Sequence, residues 1–201
     1  MASWDDQVTF ALDVEMVNGV VNGESQNLAG RVVLVRNDPY VEWIKVIDAY
    51  IKYPYGVVRD CLTRYSRIKP WQLQMLGMPR DAVVNFILSA IYGHTLVTFS
   101  GHHDLRSLGI EMDVVKRCVS QHIELQDFFK RPNGTPYGLG PLVDYFGYTR
   151  NDRKVVIRHN CVDDSVYTLR LYRDYYQANT TFQPVTYVLS KREYCTKYGI
   201  S

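Results

Sequence analysis

The four cysteines, Cys61, Cys118, Cys161 and Cys195, are widely scattered and form no CxxC pair. That argues against a zinc site and suggests no disulfide framework. No run approaches the ~20 apolar residues of a membrane span. The opening stretch, MASWDDQVTF, lacks the basic segment and apolar run of a signal peptide. These absences predict an intracellular, reduced location, nucleus or cytoplasm, with no membrane partner. A large charge of one sign is missing too: the formal net charge is +2. Such a chain suits a nucleic acid only if its basic residues gather on one face. Repeats, low-complexity tracts and linkers are also missing, so one domain is expected over 1–201. Its core should span about 8–177, with a C-terminal extension at 178–201.

What is present is ordinary globular material. Hydrophobic residues make up 46% and charged residues 22%, enough for a proper core in 201 residues. Sixteen tyrosines are more than such a core needs and suit a surface that stacks on bases, although packing accounts for most of them.

The stretch FALDVEM, Phe10 to Met16, reads as a buried strand yet carries Asp13 and Glu15. Residues i and i+2 of a strand share a face. Two carboxylates held about 4–6 Å apart repel by roughly 3–4 kcal/mol at an effective dielectric of about 20. A fold tolerates that when a cation sits between the oxygens or one acid keeps its proton. Asp13 and Glu15 are therefore read as half of a metal site.

The flanking pattern predicts three strands, VTFALDVEMV, LAGRVVLVRND and VEWIKVIDAYIKY, joined by short turns as an antiparallel meander. The Asn-Gly pairs in VNGVVNGESQN mark the first turn. Val83, Val84, Ile87, Leu88 and Ile91 then fall at helical spacing, and Gly93 ends that helix. TLVTFS reads as a short strand, HDLRSLGI as a helix start, HIELQDFF as a strand and YGLGPLVDYFGY as a helix. CVDDSVYTLRLYRDYYQ reads as a long helix with Val162, Val166, Leu169 and Tyr176 in one stripe, and Leu171 and Tyr175 on a second face. This order predicts an α/β fold with a mixed sheet flanked by helices.

Three more acids fall at helix starts. Asp104 follows a buried strand, and Asp163 and Asp164 open the long helix behind His159. The helix macrodipole favours an acid at each of these places without any function. Asp163 shares its face with Tyr167, Arg170 and Asp174, whereas Asp164 shares one with Thr168, Leu171 and Tyr175. Asp164 is therefore the inward acid. Asp13, Glu15, Asp104 and Asp164 make a four-carboxylate set whose hard oxygens suit Mg²⁺ or Mn²⁺. Two such ions clamp the attacking and leaving oxygens of a phosphodiester, and His159 is placed to take a proton from water.

Five segments, in order, resemble the DEDDh 3′–5′ exonucleases, and most nearly the RNA-exonuclease branch that includes the interferon-stimulated exonuclease. ALDVEMV resembles A-L-D-C-E-M-V-G, and LTRYSRIKPWQL resembles T-R-x-S-G-I-T. LVTFSGHHDLRSL resembles L-V-G-H-A-L-H-N-D-L-K-A-L, and HIELQDFF resembles the strand carrying R-D-T. HNCVDDSVYTLRLY resembles H-S-S-V-E-D-A-x-A-x-M-x-L-Y. The resemblance implies a ribonuclease H-like mixed five-stranded sheet, with three antiparallel strands and then parallel ones. It implies that Asp13, Glu15 and Asp164 hold one ion, that Asp13 also touches a second supported by Asp104, and that His159 is the general base. Asp163 would face away. Met16 and Val17 would pack against the terminal nucleotide, with backbone there reading its 3′ end.

The sequence departs from this pattern at three places. Thr98-Phe99 replaces Gly-His, and Phe99 is a candidate stacking surface. Arg67 replaces a glycine, in a stretch where Arg64 and Ser66 are further substrate candidates and Lys69 and Arg106 are candidate phosphate contacts. VNGVVNGES replaces a short glycine-led turn. The function expected is a metal-dependent 3′–5′ exoribonuclease releasing nucleoside 5′-monophosphates from single-stranded RNA. A DNA exonuclease with the same site and a non-catalytic RNA-binding or scaffold module are the alternatives, and a protein partner is left open under each reading.

Overall fold

The structure is a computed structural model that describes residues 8–148 and 160–178, together with Glu193 and Thr196. The chain opens with three long strands, β1 (Thr9–Val21), β2 (Glu24–Asp38) and β3 (Glu42–Lys52). They pair antiparallel as the meander expected. The first turn is tighter than the sequence suggests: β1 runs through the first Asn-Gly and turns only at Asn22-Gly23. At the second turn, Asp38 Oδ1 accepts from the amides of Tyr40 (2.9 Å) and Val41 (3.1 Å).

A short edge strand, β4 (Val58–Asp60), leads into α1 (Thr63–Ser66) and α2 (Pro70–Met75). A two-residue strand, β5 (Met78–Pro79), precedes α3 (Arg80–Ile91). Then come β6 (Thr95–Thr98), α4 (Gly101–Leu108), α5 (Met112–Cys118) and β7 (Gln121–Glu124). Helices α6 (Leu125–Phe128), α7 (Leu139–Tyr145) and α8 (Cys161–Leu171) follow, and α8 continues as a π-turn over Tyr172–Gln177. HIELQDFF is thus strand only to Glu124, where its register on β6 ends and the chain coils into α6.

The sheet order is β5-β3-β2-β1-β6-β7, with β4 also on β1. Strands β6 and β7 run parallel to β1. The five strands expected are all present, and β4 and β5 add two small pieces at the margins.

Alternation along β1 and β2 divides the core. Phe10, Leu12, Val14, Val32 and Leu34 face α3, α4 and α5, packing on Val83, Ile87, Ile91, Leu105, Leu108 and Val115. Ala11, Val33 and Val35 face the other way, onto Val166 and Leu169 of α8. Further along that second face, Val17 and Leu28 pack under Ile68 and Leu73 of the α1–α2 region. A third cluster joins Val97 and Ile123 to Phe129, Tyr137, Leu142 and Leu171. Helix α8 is thus covered on two sides, as its pattern suggests. Tyr176 leaves the expected stripe and meets the ring of Phe128 instead. The π-turn winds fewer degrees per residue than an α-helix, so the stripe's phase is lost at Tyr172.

Candidate active site

Asp13 and Glu15 lie on the face of β1 that α8 covers at one end and α1–α2 cover at the other. They occupy the gap between those covers. Helix α8 is pinned directly over them: the Cys161 thiol donates to the main-chain oxygen of Asp13 at 2.9 Å. Burial first, and then the neighbouring Asp13 and Glu15, push that thiol's pKa well up, so it stays a neutral donor. Asn160 caps the helix, its side chain accepting from the Val162 amide and donating to Asp163 at 3.1 Å. Asp163 is thereby turned toward the cap. Asp164, one position on, turns inward.

Asp13, Glu15 and Asp164 each offer a carboxylate oxygen, and these oxygens all lie within 4.8 Å of one another. Asp104, 7% exposed, adds a fourth acid from the first turn of α4. Burial, then Asp104, Asp164 and Glu15, hold the Asp13 carboxyl well above the usual carboxylate range. Burial, then Glu124, Glu15 and Asp164, do the same to Asp104. The charged neighbours that dominate at both positions are themselves acids. A clustered, desolvated set of carboxylates suits a hard divalent cation, and Asp13, Glu15 and Asp164 are placed to hold one.

Glu124 has a part that the sequence pattern did not reveal. Its carboxylate accepts from the amides of Ser100 (2.7 Å), Gly101 (2.8 Å) and Gln126 (3.0 Å) and from the Thr98 hydroxyl (3.0 Å). It therefore ties the first turn of α4, and with it Asp104, to the end of β7. Thr98 is fully buried, so the residue that replaces the expected glycine serves this anchor. Gly101 is forced by contact: a Cβ there would stand 2.3 Å from the Thr98 Cβ.

The remaining sequence candidates divide. Arg64 and Arg67 are exposed on α1 and its end, as are Lys69 and Arg106. Ser66 is buried, its hydroxyl donating to Cys61 O at 2.6 Å and accepting from Ile68 N at 3.0 Å, so it has no surface for a substrate. Val17 is 0% exposed beneath Ile68. Its side chain cannot meet a nucleotide, because α1–α2 already cover it. Met16 points to the opposite face from the acids, partly buried against the main core. Phe99 packs against the Val97 and Ile123 cluster and keeps only part of its ring open. His159 and most of the C-terminal extension lie outside the described residues.

Arg67 stands at φ 60°, ψ 7°, in the left-handed region that favours glycine. Keeping a side chain there costs about 1 kcal/mol. Relief of that strain in Arg67→Gly is offset in part by glycine's larger unfolded-state entropy, so the variant is expected to gain less than about 1 kcal/mol in urea unfolding. A lower urea midpoint would mean that the strain is smaller than that entropy.

Strand β6 pairs with β1 only over Thr9–Ala11, and β4 only over Asn18–Gly19. Between them no described strand pairs with that edge of β1. The same architecture occurs in solved structures. The Saccharomyces cerevisiae Pan2 pseudoubiquitin hydrolase–RNA exonuclease module in complex with AAGGA RNA matches 86% of this chain at 18% identity, with a TM-score of 0.63. The same module with AAUUAA RNA matches 96% at 17% identity and a TM-score of 0.66. The Neurospora crassa Pan2 catalytic unit (protease and nuclease domain) matches 88% at 20% identity and 0.65.

The fold is the ribonuclease H-like mixed sheet flanked by helices. This chain spans only 29%, 33% and 28% of those three longer chains. No protein-family model and no curated protein matches it.

Proposed function

We propose that the chain is a metal-dependent 3′–5′ exonuclease that removes nucleoside 5′-monophosphates from the 3′ end of single-stranded RNA, acting as a single domain. The observation that carries this reading is the meeting of Asp13, Glu15 and Asp164, residues distant in sequence, beside the buried Asp104. Two divalent ions held by these four acids would supply the positive charge that activates water and stabilises the leaving oxygen.

The chain's own groups do the rest. The edge of β1 beside Glu15, with which no described strand pairs, offers backbone amides and carbonyls to the terminal ribose. Arg64 and Arg67 flank the site and take phosphates. His159, just before the Asn160 cap, accepts the proton of the attacking water. RNA is favoured over DNA as substrate because the solved relatives of this fold carry bound RNA.

Digestion of one single-stranded RNA labelled at its 5′ end and at its 3′ end tests polarity, product size and metal need together. Mononucleotides released from the 3′ label first, only with Mg²⁺ or Mn²⁺, are the expected result. Internal cleavage or 5′-first loss overturns it, and faster digestion of DNA of the same sequence moves the substrate to DNA. His159→Ala is expected to lower turnover far more than RNA affinity, since a base acts in the chemical step. Equal losses in the two would remove it from that step.

A further inference from the structure

On the same face of the sheet as the acids, past the buried Val17, a cleft of about 770 Å³ opens between the end of β3, β4 and α2. Resting on the exonuclease reading, we propose that this cleft is a second nucleotide subsite, which seats an unstacked base and its phosphate upstream of the 3′ end of the same single-stranded RNA.

Its place follows from the register of β1. Asp60 pairs with Asn18, three residues beyond Glu15, which at about 3.3 Å per residue puts the cleft's near wall about 10 Å from the acids along the strand. A strand whose end lies at Glu15 and whose body leaves along the same edge of β1 meets the cleft within a few nucleotides.

Its lining is suited to a base and a phosphate. The volume falls within the range of small-ligand sites. Tyr53 forms a fixed wall, because its hydroxyl donates to the Ala29 main-chain oxygen at 3.0 Å. Tyr55 stands at the tip of a turn closed by Val57 N donating to Pro54 O at 3.2 Å, with Gly56 at φ 82° as such a turn requires. It is 98% exposed, an aromatic ring with no partner of its own burial. A base inserted beside Tyr53 gives that ring a face to stack on. Lys52 and Arg59 are exposed at the rim and supply charge for the phosphate. The one acid of the lining, Asp60, is held by its own turn, accepting from the Leu62 amide at 2.8 Å.

The surface that joins the cleft to the acids has the same sign. From Cys61 to Pro79 the sequence holds Arg64, Arg67 and Lys69 and no acid, whereas the whole chain carries only +2. Arg64, Arg67 and Lys69 are exposed on the α1–α2 cover beside the cleft, and there they give a polyanion a local track.

The test uses the full chain with Asp13→Asn, in chelator, so that binding is measured without hydrolysis. Fluorescence anisotropy compares a labelled dinucleotide with a single-stranded RNA of roughly ten nucleotides, long enough to reach the cleft. Tyr55→Ala with Arg59→Glu is expected to weaken the longer RNA about tenfold or more and to leave the dinucleotide unchanged. Lys52→Glu, a change at an exposed side chain, should weaken it in the same direction. In the chain that keeps Asp13, the double variant should raise KM for long RNA and leave dinucleotide turnover as it was.

Undiminished affinity for the longer RNA in the double variant overturns the subsite, as does an equal loss for both lengths. So does parental binding no tighter for the longer RNA than for the dinucleotide. Failure of the exonuclease reading looks different: the unaltered chain then releases no mononucleotide with metal present, whatever the binding series shows.

Discussion

Asp13→Asn is expected to lower RNA hydrolysis by on the order of a thousandfold or more, with the fold retained. Asp13 sits at the centre of the acid set: Asp104, Asp164 and Glu15 all act on its carboxyl. Losing its charge removes a ligand common to both ions in the proposed arrangement, so the damage falls on the transition state and several kcal/mol of its stabilisation disappear. Asparagine keeps the volume and preserves the main-chain oxygen that receives the Cys161 thiol. It also removes one member of a repelling cluster, so the metal-free variant should melt no lower than the parent. Single-turnover hydrolysis and a thermal melt, run side by side, decide the matter. Full activity in the variant would show that these acids do no chemistry, and a biological effect that survives the loss of hydrolysis would point to a scaffold.

Chelation of divalent cations is expected to stop turnover and, at neutral pH, to lower the melting temperature by about 5–10 °C relative to saturated protein. The folded carboxyls of Asp13 and Asp104 hold their protons to higher pH than the unfolded reference of 3.8. Between that reference and their raised folded values the folded state binds more protons than the unfolded one. Stability of the metal-free protein contributed by these groups is therefore greatest at low pH and falls as pH rises through that interval. A bound cation reverses the penalty, so its stabilising effect should grow with pH across the same interval. A melting temperature indifferent to Mg²⁺ and Mn²⁺ at neutral pH would mean that the acids hold no ion. Turnover in chelator would refute the metal-dependent reaction.

How much of this was legible beforehand depends on the kind of residue. The Asp13–Glu15 spacing on a strand places both acids on one face by period alone, and helical period alone separates Asp164 from Asp163. Both readings hold because they rest on local geometry. The reading of Val17 and Ser66 as substrate contacts fails because the sequence does not show that α1–α2 fold back over that part of β1. Glu124 was passed over for the same reason. Its four donors come from the end of β6, the start of α4 and the start of α6, and only the parallel pairing of β6 with β7 brings them to it. HIELQDFF was read as strand throughout because its apolar residues suit either state, and the end of the β6 pairing settles where it coils.

The strain at Arg67 and the cleft below α2 belong wholly to the folded chain. The resembled pattern has a glycine where Arg67 stands, but only the folded backbone shows that the arginine keeps the left-handed conformation, and Tyr53, Arg59 and Gln74 share a cavity only after three elements have packed.

The sequence by itself determined the strand and helix periods, the order β-meander then alternating helix and strand, and the identity of the inward acids. Period and propensity are properties of neighbouring residues, so a linear reading reaches them. Only the tertiary structure decided which side chains are covered, which stretch of β1 pairs with which strand, and how far the acids' charges act on one another. Burial and electrostatic coupling depend on what lies across space, and the same aspartate is an ordinary helix-start residue or a desolvated member of a cluster according to what packs above it.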